Sequence, residues 1–232
     1  MENVVIREAT EADADGIVEF IVKNIVDLGP IDKTLGFNEN DARDYYEAGL
    51  RSALQDGVSF VAIDTSRNEI VACIVWSIWH RDPKKNHPRR PATTPKAKIL
   101  SSLIWLMRPL FWELCPAHIN TVLKSEYMLV RKDFQRKQLA ERFTIMSANP
   151  DWLKAKGVQG TVGVATSLAN QRNLAKYDNV VLAEVNYADF FASQGIPFGG
   201  ALTDGATKAV LVSTPFPDFY PKTVKVKAKS KM

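Results

Sequence analysis

The sequence predicts an α/β fold carried by one large domain. Runs of β-branched and aromatic residues of strand length alternate with stretches whose apolar residues recur at helical spacing. The chain of 232 residues is long enough for one substantial core, and 46% hydrophobic with 24% charged residues is ordinary globular composition. No internal repeat interrupts the order.

Each element follows from local signals. Val4 to Arg7 reads as a short strand. Thr10, with Asp13 three residues later, is a capping-box pattern opening a helix whose Ile17, Phe20, Ile21 and Ile25 share one face. Leu28-Gly29-Pro30 stops that helix, residues 27–37 read as a loop, and Asn38 caps a second helix with Tyr45, Leu50 and Leu54 on its apolar side. Residues 58–64 and 70–79 are strand runs joined by Thr65-Ser66-Arg67-Asn68, a hairpin signal that makes them antiparallel neighbours. Pro83, Pro88, Pro91 and Pro95 make 82–96 a loop, and an apolar helix over 97–114 follows, so 82–118 reads as an inserted loop and helix. Residues 125–130 form a strand, 131–134 a turn and 135–146 a helix with Leu139, Phe143 and Met146 on one face. A strand at 158–165 runs into a helix capped at Thr166-Ser167 and reaching Tyr177. The last strands lie at 180–185 and 209–213, linked through Phe190-Phe191 and a Gly-rich loop at 195–205. The domain spans 1–220, and 221–232 reads as a basic, disordered tail.

Charge and composition exclude several classes. The net charge of +4 arises largely from residues 81–98 and 222–231. The tail lysines alternate with small or apolar residues and have no aromatic partners, so bases find no stacking platform and no nucleic-acid partner is expected. The apolar run 99–114 is broken by Arg108, Pro109 and Glu113, which argues against stable membrane insertion. No signal peptide is apparent, and Cys73 and Cys115 sit among apolar neighbours as reduced thiols do, so a cytoplasmic location is expected. His80 and His87 lack metal-ligand spacing to either cysteine, and no metal is expected. Cys115 and His118 straddle Pro116 without an orienting Asp or Asn, which does not make a nucleophile–base pair.

The segment with the most chemical content runs from Val130 to Ala140. A strand ends at Val130, Phe134 follows, and Gln135 precedes a helix containing Leu139 and Ala140, so a strand runs into a helix N-terminus here. Free amides at a helix N-terminus, helped by the helix dipole, hold a pyrophosphate without charged side chains. The segment resembles the acetyl-CoA motif of the GNAT N-acetyltransferases, Gln/Arg-x-x-Gly-x-Gly/Ala, and the strand order over nearly the whole chain is similar to that superfamily's. The resemblance implies a mixed, mostly antiparallel central sheet with a splayed parallel pair and helices on both faces. It also implies acetyl-CoA as cosubstrate. Gln135, Arg136, Lys137, Gln138, Leu139 and Ala140 would then hold the pyrophosphate, and the main chain of Met128, Leu129 and Val130 the pantetheine. Asn170 would contact the cofactor arm and Tyr177 would protonate the leaving thiolate; seven residues apart, they share a helix face. The sequence departs from the pattern at Gln138, where the family has its first Gly. A positive φ there would strain a Gln, and a helical φ would not.

More specifically, Leu28-Gly29-Pro30-Ile31, Leu35-Gly36 and Ala165-Thr166-Ser167 resemble segments of the invertebrate arylalkylamine (dopamine-type) N-acetyltransferases. In that group a Glu-Pro-Leu segment supplies the general base, and a Thr/Ser-Ser segment supplies a hydroxyl near the thioester, here Ser167. Gly29 stands where the Glu belongs, which leaves Asp27 and Asp32 as candidate bases. The expected function is transfer of an acetyl group to a small primary amine, selected by residues 27–37 and the aromatic Trp105, Phe111 and Trp112. A catalytically silent acyl-CoA-binding module is the alternative.

Overall fold

The computed structural model describes residues 3–216 and 222–228. Its elements are β1 (Val4–Glu8), α1 (Ala14–Leu28), α2 (Pro30–Leu35), α3 (Glu39–Leu54), β2 (Phe60–Asp64), β3 (Glu69–His80), α4 (Pro95–Met107), α5 (Leu110–Leu114), β4 (Thr121–Val130), α6 (Leu139–Ser147), α7 (Pro150–Ala155), β5 (Thr161–Ala165), α8 (Leu168–Leu174), β6 (Val180–Asn186), α9 (Tyr187–Ser193), β7 (Lys208–Ser213) and β8 (Val224–Lys225). The eight strands form one sheet in the order β1-β2-β3-β4-β5-β7-β6-β8, antiparallel except where β5 meets β4 and β8 meets β6. This is the mixed, mostly antiparallel sheet expected.

Alternation along the strands divides the interior. Cys73 and Val75 of β3, with Tyr127 and Leu129 of β4, face a core built with α1, α3, α4 and α9, where Ile17, Leu50, Leu103 and Phe191 are fully buried. Ala72, Ile74 and Trp76 face the other way, against Leu139 and Phe143 of α6 and Trp152 of α7. The sheet therefore has helices on both faces, and β3 buries both of its sides. Among the described residues, no helix is long and apolar enough to cross a membrane.

Several boundaries differ from expectation. The segment 27–37 contains the short helix α2, opened by Pro30 and closed by Gly36 at φ 64°. The apolar helix expected over 97–114 is two helices, broken at Arg108-Pro109 because the prolyl ring cannot continue the helical hydrogen bonds. The helix expected from Gln135 begins only at Leu139. Two short helices, α7 and α9, arise at Asn149 and Asn186, whose side chains accept from Trp152 N and from Ala188 and Asp189 N. Part of the tail is paired: Ala183 and Glu184 of β6 align with Val224 and Lys225, and Val226 N donates to Glu184 O at 2.8 Å. Pro221 and residues 229–232 of that tail lie outside the described residues.

Strand β4 carries a bulge at Glu126. Val75 pairs with Tyr127 and Trp76 with Ser125, leaving Glu126 unopposed. Its buried carboxylate accepts from Lys124 at 2.8 Å, Arg108 and Ser77 at 2.9 Å, and Arg89 at 3.4 Å. Burial alone would raise its pKa; the three cations reverse that and hold it well below the usual carboxylate range.

Candidate functional site

The parallel strands β4 and β5 pair only at Leu123–Thr161 and Lys124–Val162. Beyond those pairs β4 continues to Val130 and diverges from β5, and a cleft of about 650 Å³, open to solvent, fills the gap on the α6–α8 side. Ser125, Met128 and Gly163 line its floor, and Thr144, Asn170 and Tyr177 line its upper wall. Small residues let the strands approach closely at the apex: a Cβ on Gly163 would stand 3.1 Å from Ser125 Cβ. Asn173 Nδ2 donates to Thr144 Oγ1 at 3.0 Å and ties α8 to α6 across the opening.

The strand β4 runs into the predicted anion turn. Residues 135–138 are exposed and non-helical, Gln135 Nε2 donates to Val130 O at 3.2 Å, and Arg136 and Gln138 both adopt φ 60°. Gln138 thus occupies a left-handed position that favours Gly, which answers the open question in the direction of strain. The first helical bond of α6 runs from Arg142 N to Gln138 O at 2.9 Å. The amides of Leu139, Ala140 and Glu141 therefore lack intrahelical partners, and together with the left-handed turn they form a concave set of donors suited to a phosphate. The Leu139 side chain is buried under α6, as is that of Leu129 on the opposite face of the sheet, so these two residues offer main chain only. Lys137 Nζ lies 4.5 Å from the centre of the Phe134 ring, near the same turn.

Helix α8 is capped by Ser167, whose Oγ accepts from Asn170 N at 3.2 Å. Asn170 and Tyr177 both line the cleft, whereas Ser167 does not; the helix expected to reach Tyr177 ends at Leu174, and a 3₁₀ turn over residues 175–177 completes the path. The Tyr177 hydroxyl is shielded from solvent, and the polar group facing it is the Glu141 carboxylate. Burial, with the nearby Glu141 carboxylate adding to it, raises its pKa and keeps the phenol protonated.

The two candidate bases differ sharply. Asp27 is exposed on the last turn of α1, and no hydrogen bond ties it to the cleft residues. Asp32 is 1% exposed, accepts from Tyr46 Oη at 2.8 Å, and is pushed up to about 7 by burial, which outweighs that hydrogen bond. Its carboxylate folds back over the α1–α2 corner: a Cβ on Gly29 would stand 2.2 Å from Asp32 Oδ2. Asp32 thus fills the space that a side chain at position 29 would need. The Tyr46 ring lies 4.9 Å from Tyr127 of β4, whose neighbours Ser125 and Met128 line the cleft, so Asp32 and the cleft are on opposite sides of the splayed strand. Of the aromatic residues expected to select the amine, Phe111 is fully buried, Trp112 packs on Trp79 at 4.9 Å and Trp105 is 62% exposed. The Cys115 thiol bonds to Pro116 O rather than to His118, and burial pushes it up to about 11, so it is a poor nucleophile.

Two contributors carried little sequence signal. Thr144 lies one turn beyond Ala140, so a helix opening at the anion turn brings it over the cleft. Tyr46 had none, because its hydroxyl sits on a helix face that reads as apolar.

The sequence matches no protein-family model, and no curated protein matches it either. Solved structures do match in fold. Arylalkylamine N-acetyltransferase 2 of Aedes aegypti is 17% identical, with a TM-score of 0.72 over 91% of this chain and 98% of that one. A mosquito arylalkylamine N-acetyltransferase-like 5b gives 0.71 at 14% identity over 91% and 99%. Drosophila melanogaster polyamine N-acetyltransferase, which catalyses formation of N-acetylagmatine, gives 0.65 at 14% identity over 90% and 98%. With its splayed β4–β5 pair and helix-terminal turn, the chain has the fold of the GNAT N-acetyltransferases.

Proposed function

We propose that the protein is an N-acetyltransferase that moves an acetyl group from acetyl-CoA to a small primary amine, with arylalkylamines the preferred class. The observation that carries this reading is the cleft between β4 and β5, which has Asn170 and Tyr177 in its wall and Thr144 of α6, the helix whose N-terminal amides at residues 139–141 are free, beside them. A pyrophosphate fits the turn and a pantetheine arm fits the cleft, where its amide can pair with β4 near Leu129 and Val130 as an added half-strand. The Tyr177 hydroxyl lines the cleft with only the Glu141 carboxylate near it, so it is available to a ligand there. The structures alike in fold are amine N-acetyltransferases, and that likeness supports the same chemistry.

In this reading transfer is direct. The amine arrives as an ammonium ion, and Asp32, reached through water because it is buried on the other side of β4, takes its proton; a carboxylate poised near 7 suits a base working at neutral pH. The freed lone pair attacks the thioester carbon while a β4 amide near Leu129 or Val130 polarises the carbonyl oxygen. As the C–N bond forms and the C–S bond breaks, Tyr177 gives its proton to the departing sulfur. The free, buried Cys73 and Cys115 suit the reducing cytoplasm.

The test incubates purified protein with acetyl-CoA and a panel of amines, measuring CoA binding by calorimetry and release of free thiol. Neither binding nor thiol release removes the reading. Tight CoA binding without turnover favours the silent module, for which Gly29 in place of Glu is the specific observation.

A further inference from the structure

Trp76 stands at the apex of the cleft. It pairs with Ser125, next to the last β4–β5 pair at Lys124–Val162, and it lines the cleft together with Thr161, Ser147 and Thr214. The residue is 7% exposed, and its Nε1 is buried with no hydrogen-bond partner. Its backbone is satisfied: Ser59 Oγ donates to Trp76 O and accepts from Trp76 N, both at 3.1 Å. Three of the hydroxyls lining the cleft are engaged. Thr144 Oγ1 donates to Ala140 O, Ser147 Oγ to Thr144 O, and Thr214 Oγ1 accepts from Thr161 N. The indole N–H has no such partner. A Phe would fill this buried strand position without leaving a donor unpaired, and an unpaired buried donor is costly.

We infer that the Trp76 indole N–H is a ligand-binding donor of this cleft, giving a hydrogen bond to a carbonyl oxygen at the acyl end of an acyl-CoA. The inference rests on the proposed function, since it requires that an acyl-CoA enters the cleft. An acyl-CoA carries two kinds of carbonyl that fit, the pantetheine amides and the thioester, and Trp76 lies opposite Ser125, beside the last β4–β5 pair where the strands close on each other.

The experiment follows indole N–H resonances of ¹⁵N-labelled protein, whose five tryptophans give a small, assignable set. The Trp76 signal is assigned with Trp76→Phe or, should that variant not fold, by elimination with the other Trp→Phe variants. Titration with acetyl-CoA, without an amine, moves the Trp76 signal downfield. The same shift with CoA alone makes an amide carbonyl the acceptor, and a shift with acetyl-CoA alone makes it the thioester. Calorimetry on Trp76→Phe shows acetyl-CoA binding weakened about fivefold, as for a lost neutral hydrogen bond. If acetyl-CoA binds while the Trp76 signal stays in place and Trp76→Phe binds as tightly, the inference is overturned and the proposed function stands. If neither CoA nor acetyl-CoA binds the unmodified protein, both fall.

Discussion

Replacing Asp32 with Asn separates a buried carboxyl's effect on stability from its role in chemistry. In the folded protein the Asp32 carboxyl is pushed from its ordinary 3.8 to about 7, chiefly by burial. The unfolded chain releases that proton near the ordinary value, so between about pH 4 and pH 7 the folded state holds a proton that the unfolded state has lost. Stability therefore falls as pH rises through that window and levels off above it. Each tenfold change in proton affinity is worth about 1.4 kcal/mol, so the rise bounds the loss at about 4 kcal/mol. Asn does not titrate, and its side-chain oxygen still accepts from Tyr46 Oη. Denaturant unfolding at pH 5, 6, 7 and 8 should show the difference between wild type and Asp32→Asn shifting in the variant's favour by a large part of that amount. Other titrating groups are common to both proteins and cancel in the difference. Parallel profiles would refute an elevated Asp32. In the same variant, the acid limb of the kcat/KM profile, centred near pH 7 in the wild type, should disappear along with most of the rate.

Three further outcomes follow from the site. Gln138→Gly should be about 1 kcal/mol more stable than Gln138→Ala, because φ 60° disfavours any side chain, and it should bind CoA at least as tightly as wild type; thermal unfolding and calorimetry check both. Tyr177→Phe removes the buried phenolic proton and should lower kcat about 100-fold while leaving the acetyl-CoA KM within about threefold, read from steady-state kinetics. Gly29→Ala sets a Cβ 2.2 Å from Asp32 Oδ2 and 2.9 Å from Ile25 O, and should cost about 1–3 kcal/mol. Combined with Asp32→Ala it should cost less than the two single changes summed, and strict additivity would show that the carboxylate does not fill that corner.

What the sequence made legible was whatever local spacing determines. Helices α1 and α3 are long enough for their apolar periodicity to show, and Asn38 marks the start of α3. Asn170 and Tyr177 reach one cleft although α8 ends between them, because a 3₁₀ turn over residues 175–177 carries the chain on to Tyr177. Helices α7 and α9, of six and seven residues, are too short to display a period, and only their capping asparagines announce them. The turn at 135–138 looked helical because its residues are ordinary helix formers; two left-handed residues there are imposed by the surrounding structure. The candidate base was the least legible part. A family pattern keyed to position 29 reads this chain as lacking a carboxylate. Yet a corner between helices constrains the volume a carboxylate occupies rather than the position it comes from. The absence of a Cβ at Gly29 and the reach of Tyr46 from α3 let a residue three positions later fill that volume. Neither condition can be read from spacing along the chain, because one is an empty space and the other belongs to a different helix.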